Sequence, residues 1–110
     1  MDRTQQPQMA EALDRLWAKF LPQMMVRVAI LEAASAVLAA GRLSIDQRSD
    51  ANAAAHKLAG VLGTFGFTKG TVLAREAEII YSGGPDTDPE AAARLAEIAS
   101  QLRAIVESRK

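Results

Sequence analysis

Apolar residues recur along this chain at spacings of three and four, the period of helices that bury one face, and punctuation residues cut the pattern into segments. The first six residues are expected to fray. Pro7 suits a first helical turn, and Met9, Leu13, Leu16, Trp17 and Phe20 follow at helical spacing. Pro22 predicts a break or kink near Leu21, because a residue before proline is pushed out of the helical region. A second helix carries Met24, Val28, Leu31, Ser35 and Leu38, and Gly41 stands where a left-handed stop belongs. Ser44-Ile45-Asp46-Gln47 reads as a capping box opening a third helix, which runs to about Phe65 with Gly66 as its stop. Thr68 is placed to cap a fourth, carrying Val72, Leu73, Ala77 and Ile80. The stretch from Ser82 to Asp88 reads as a loop. Asp88 and Pro89 then start a last helix, whose Leu95, Ile98, Leu102 and Ile105 form a core-facing seam.

Short connections favour antiparallel neighbours. The expected fold is therefore all-α, an antiparallel up-and-down four-helix bundle with a short additional N-terminal helix, forming one domain over residues 1–110. Composition strengthens this expectation. Alanine, the best helix former, occurs 22 times, whereas the aromatic types that strands favour are scarce.

Composition also removes whole classes of chemistry. With no cysteine there is no disulfide scaffold, thiol nucleophile or thiolate metal site. One histidine excludes every constellation that needs two. Thirteen basic and thirteen acidic residues cancel, which argues against binding nucleic acid or a membrane by bulk charge. No apolar run of 18 residues is uninterrupted, and no basic-then-apolar leader is present. Neither a membrane span nor a signal peptide is expected, and a cytoplasmic location is. Asp86 and Asp88 offer too few oxygens for a cation site. There is no phosphate-cradling glycine loop with Lys-Ser/Thr and no kinase signature, so autophosphorylation from ATP is not expected.

The third helix holds the single histidine. At about 100° per residue, Ala54, Leu58, Val61, Leu62 and Phe65 fall opposite His56 and should form the buried stripe. His56 should face water, sharing its side with Ser49, Asn52, Gly60 and Gly63. A lone surface histidine is most often just a polar residue. Here, however, two helix-interior glycines, each costing about 0.8–1 kcal/mol relative to alanine, lie on the same side. They leave a notch into which another protein's backbone or a bulky group could fit. A largely neutral exposed imidazole has a free nitrogen lone pair, which makes it a competent nucleophile toward phosphorus. A general-base enzyme is disfavoured, since there is no obvious pocket, no acid one turn away to orient the ring, and no second catalytic group.

The run Ala55-His56-Lys57-Leu58-Ala59-Gly60-Val61-Leu62-Gly63-Thr64-Phe65-Gly66-Phe67 resembles the signature of histidine-containing phosphotransfer (HPt) domains. The resemblance lies in a histidine, a leucine two later, a glycine four later, and a closing glycine after an apolar residue. It implies a phosphorelay intermediate, with His56 accepting a phosphoryl group from a receiver-domain aspartate and passing it to another receiver. The alternative is an HPt-like docking module that is never phosphorylated. The implied partners are response-regulator receivers and a hybrid histidine kinase, with Mg²⁺ supplied by the receiver and no cofactor of the domain's own. A monomer is expected. The chain's starting methionine and full helix count favour a free-standing carrier. One position departs from the family pattern, because the lysine usual three residues after the histidine is Ala59 here. Lys57, and behind it Lys69, are the candidates to touch the phosphoryl oxygens. Asn52, Ala53, Ala59, Gly60, Gly63 and Phe67 are the candidate docking positions. Between Arg42 and Arg75, five basic residues face two acidic ones, a local surplus suited to the carboxylate-rich pocket of a receiver.

Overall fold

The computed structural model describes the backbone of residues 5–83 and 88–109, so residues 1–4 of the expected fray and the interior of the expected loop, Asp86 included, lie outside the described residues. Four helices occupy nearly all of the rest: α1 (Gln5–Ala39), α2 (Ile45–Thr64), α3 (Thr68–Tyr81) and α4 (Ala92–Ser108). Each packs against its neighbours in sequence, and α1 closes the ring against α4, which is the up-and-down bundle. The molecule measures 55 × 21 × 20 Å. At 35 residues, α1 sets the long dimension, being about 52 Å long at ~1.5 Å per residue.

The separate leading helix is a correction. Gln5, Gln6 and Pro7 already belong to α1, and Pro22 lies inside it with no break. Proline removes the bond to the carbonyl four residues back and disturbs a helix by ~3 kcal/mol. One continuous apolar face nevertheless crosses it, with Trp17 buried before the proline and Met24, Val28, Leu31 and Leu38 buried after it. Burying each such side chain is worth about 1.5–3 kcal/mol, so the shared face outweighs the local defect. The Pro22 ring itself sits in solvent. That face also explains why Met9–Ala39 is long and apolar enough to cross a membrane by length and composition. A core helix meets the same criterion. Only Trp17 among the N-terminal apolar residues is buried, whereas Met9, Leu13 and Leu16 are exposed.

The stops and starts between α1 and α3 follow from local chemistry. Gly41 (φ +71°) and Gly66 (φ +79°) take left-handed conformations after α1 and α2. At both ends the residue after the glycine donates to a carbonyl five back, Arg42 to Val37 and Phe67 to Leu62. Ser44 caps α2 through the reciprocal box, its hydroxyl accepting from the Gln47 amide while the Gln47 side chain accepts from the Ser44 amide. Thr68 is not the cap of α3. The N-cap is Phe67, because the turn after Gly66 is so short that Thr68 is already helical. Asp88 does cap, but it opens a three-residue 3-10 turn, Pro89–Ala91, ahead of α4.

Small residues bring α2 and α3 close. Ala51, Ala54, Ala55, Leu58, Ala59 and Leu62 are the buried residues of α2, and Gly70, Leu73, Ala74, Ala77 and Tyr81 those of α3. A Cβ at Gly70 would lie 2.9 Å from Leu62 Cδ1 and 3.6 Å from Ile105, so this crossing needs a glycine. Val72, expected in the core, is 59% exposed instead, because the α3 stripe runs through Leu73 and Ala74. The α4 seam is Leu95, Ile98, Leu102 and Val106, with Ile105 half-buried beside it.

Candidate functional site

His56 projects from the middle of α2 with its side chain 69% exposed, on the side opposite Leu58 and Leu62. Its Nδ1 lies 2.7 Å from Oε2 of Glu78 on α3. An ionised carboxylate only accepts, so Nδ1 is the donor in this contact, and in the neutral ring that tautomer leaves the lone pair on Nε2. Asn52, one turn before His56, donates from Nδ2 to the Glu78 carbonyl at 2.8 Å. Glu78 is thus held by backbone and side chain at once, and α2 and α3 are tied together around the imidazole. One turn after His56, the Thr71 hydroxyl donates to the Ala59 carbonyl at 3.2 Å and fixes the same helix pair lower down.

On its other side His56 borders a groove of about 500 Å³ between α1 and α2, lined by Leu16, Phe20, Arg27, Lys57, Gly60, Val61, Thr64 and Phe65 as well as His56. A Cβ built on Gly60 would meet nothing within 4 Å, so the surface there is open. The groove joins an apolar floor to two cations, and among the described residues no carboxylate lines it. The imidazole therefore has an acid on one flank and an open, basic and apolar trough on the other. Such an arrangement can present a nucleophilic nitrogen to a phosphorylated protein surface.

The positions expected from sequence separate on this geometry. Lys57 and Gly60 line the groove with His56, and Ala53 is exposed. Gly63 is exposed but faces α3, where a Cβ would come 3.3 Å from the Thr71 hydroxyl. Ala59 is a correction: it is 2% exposed and packs toward α3, so it cannot offer a docking surface. Asn52 is half-buried and spends its amide on Glu78. Phe67 belongs to an aromatic cluster with Trp17, 5.4 Å away, and Phe65 lines the groove in its place. Lys69 sits nine residues before Glu78 on α3, about 13 Å along the axis, so it is not brought to His56.

Glu78 and Arg27 escaped the sequence reading, which found no acid one helical turn from the ring and only a notch, not an obvious pocket, beside it. Both come from other helices. The signal for Glu78 lay in the short turn after Gly66. It folds α3 back along α2 so that Leu62 meets Gly70, Ala59 meets Thr71 and His56 meets Glu78.

Comparison with known proteins agrees with this architecture. A family model described as Hpt domain matches residues 15–105. Protein RcaC of Microchaete diplosiphon is 32% identical over 98 residues, which is 89% of this chain. The chain spans 15% of that protein's length. No solved structure matches. A match over most of the chain, on a four-helix bundle with one exposed histidine, shows that the chain belongs to the Hpt domain family, whose members take part in two-component phosphorelays with receiver domains and kinases.

Proposed function

We propose that this domain is a phosphorelay intermediate in which His56 takes a phosphoryl group from the aspartyl phosphate of one receiver and hands it to the aspartate of another. The Nε2 lone pair attacks phosphorus, the P–O bond to the aspartate breaks, and its electron pair returns to the receiver's carboxylate. The ring is then cationic, and Glu78, 2.7 Å from Nδ1, stabilises that charge. Delivery to the second receiver runs the same step in reverse. Phosphoryl transfer is mostly in-line placement and charge neutralisation, so one rigidly held nitrogen is sufficient on this side. Mg²⁺ held by the receiver would supply neutralisation from the partner's side.

The observation that supports this best is the pairing of an exposed imidazole with a carboxylate at Nδ1, which leaves Nε2 as the free nitrogen. Lys57 is the lysine able to reach the phosphoryl oxygens from the groove. The open surface around Ala53 and Gly60 receives the partner backbone. A hybrid histidine kinase is the upstream source of phosphate, the domain works as a monomer, and the exchange takes place in the cytoplasm.

The test is to incubate the domain with a phosphorylated receiver and measure acid-labile, alkali-stable label. Wild type should acquire it and His56→Gln should not. Label that survives His56→Gln removes the site. Binding with no transfer favours the docking-module reading, which rests on the alanine at position 59.

A further inference from the structure

Arg27 differs from the arginines that stitch the bundle together. Arg94, Arg103 and Arg109 each hold a carboxylate. Among the described residues Arg27 holds none, and its one hydrogen bond is to the Gln23 side chain at 3.4 Å. A half-buried guanidinium without an anion is a poor structural investment, but a suitable receptor for an anion that arrives later.

Its location says which anion. Trp17 on α1 meets Phe65, the C-cap of α2, with ring centroids 5.0 Å apart, which fixes the antiparallel register at one end of the groove. Arg27 lies ten residues further along α1, and His56 lies nine residues back along α2, so the two come level at equal rise per residue. Both line the same groove. Packed helices run about 8–10 Å apart, a gap that an arginine stem spans. Glu78 engages Nδ1 from the α3 side, which leaves Nε2 as the ring nitrogen not engaged there, and His56 also lines the trough that α1 walls.

We propose that Arg27 forms a phosphoryl-oxygen subsite across the groove from His56, holding the oxygens of the group carried on Nε2 and taking over the contact that Ala59 cannot make. This rests on the phosphorelay reading of His56. A guanidinium fork can hold two oxygens of one phosphoryl group, whereas Lys57 offers only a point charge from the histidine's own helix.

The experiment uses phosphoramidate, a donor too small to depend on protein docking. Nε2 attacks phosphorus of the N-protonated donor, the P–N bond breaks, and its electron pair stays on the nitrogen, which leaves as ammonia, while Nδ1 keeps its proton. Rates of phosphohistidine formation are compared by ³¹P NMR in wild type, Arg27→Gln and Arg27→Lys, with helix content checked by circular dichroism. Arg27→Gln should slow formation about tenfold, the scale of one lost charged hydrogen bond. It should also move the phosphohistidine resonance, and Arg27→Lys should recover part of the rate. A wild-type rate with an unmoved resonance in Arg27→Gln overturns the proposal while leaving His56 as the acceptor. A defect seen only with a receiver as donor also overturns it, making Arg27 a docking residue. No label at His56 in the wild-type protein overturns both readings.

Discussion

Glu78 does two separable things to His56 from a distance of 2.7 Å. By accepting from Nδ1 it directs the donor proton to that nitrogen, and by its charge it would favour the cationic ring formed in the proposed phosphorylation. Glu78→Gln keeps an acceptor oxygen and loses the charge, whereas Glu78→Ala loses both. Initial rates of label accumulation on His56 should fall about tenfold in the glutamine variant and further in the alanine variant. Equal rates in wild type and Glu78→Ala would show that the pairing has no part in transfer. His56 was legible in the sequence because exposure on a helix follows from the periodicity of that helix alone. Glu78 and Arg27 were not, since they reach the site from α3 and α1, and a helical wheel of α2 contains neither.

Two glycines show how differently the same residue works within an element. Gly60 faces open space and Gly70 faces Leu62. Gly60→Leu should gain up to ~0.8–1 kcal/mol from helix propensity, and yet slow transfer from a receiver by filling the approach to His56. Gly70→Ala should instead lower stability by about 1 kcal/mol or more in urea unfolding, because Leu62 is fully buried and has little room to retreat. The bundle, the capping box at Ser44 and the stops at Gly41 and Gly66 could all be read from local pattern. What could not be read was the outcome of competition between local and tertiary terms. Pro22 signals a break locally, but the buried face from Trp17 to Leu38 overrides it. Thr68 has the right chemistry for a cap, but the tightness of the turn moves that position to Phe67.

Across the whole molecule, α4 is pinned to both its neighbours by ion pairs. Arg103 holds Glu32 on α1 at 2.6 Å, and Arg94 holds Glu76 on α3 through two hydrogen bonds. Hydrogen bonds from these guanidinium groups keep both carboxyls below the ordinary value of 4.5. In the unfolded chain they protonate near 4.5, so their contribution is present above that pH and is lost as pH falls through the lower folded values. Melting temperature should therefore decline from pH 5 to pH 3, and Arg103→Gln should flatten that decline. On the alkaline side, burial pushes the Tyr81 hydroxyl up to about 12 from an ordinary 10. Stability should then fall again as pH rises above 10, because the unfolded tyrosine ionises first.

Trp17 is the chain's only tryptophan. It is buried edge-on against Phe65, with the Arg109 guanidinium 5.2 Å from its ring centroid, and Phe65 in turn walls the groove beside His56. The protein thus contains a native fluorophore one side chain removed from the place a partner would occupy. Its emission is expected to shift when that trough is occupied, and greater access of a quencher to the indole is expected if the Arg109 guanidinium moves off the ring.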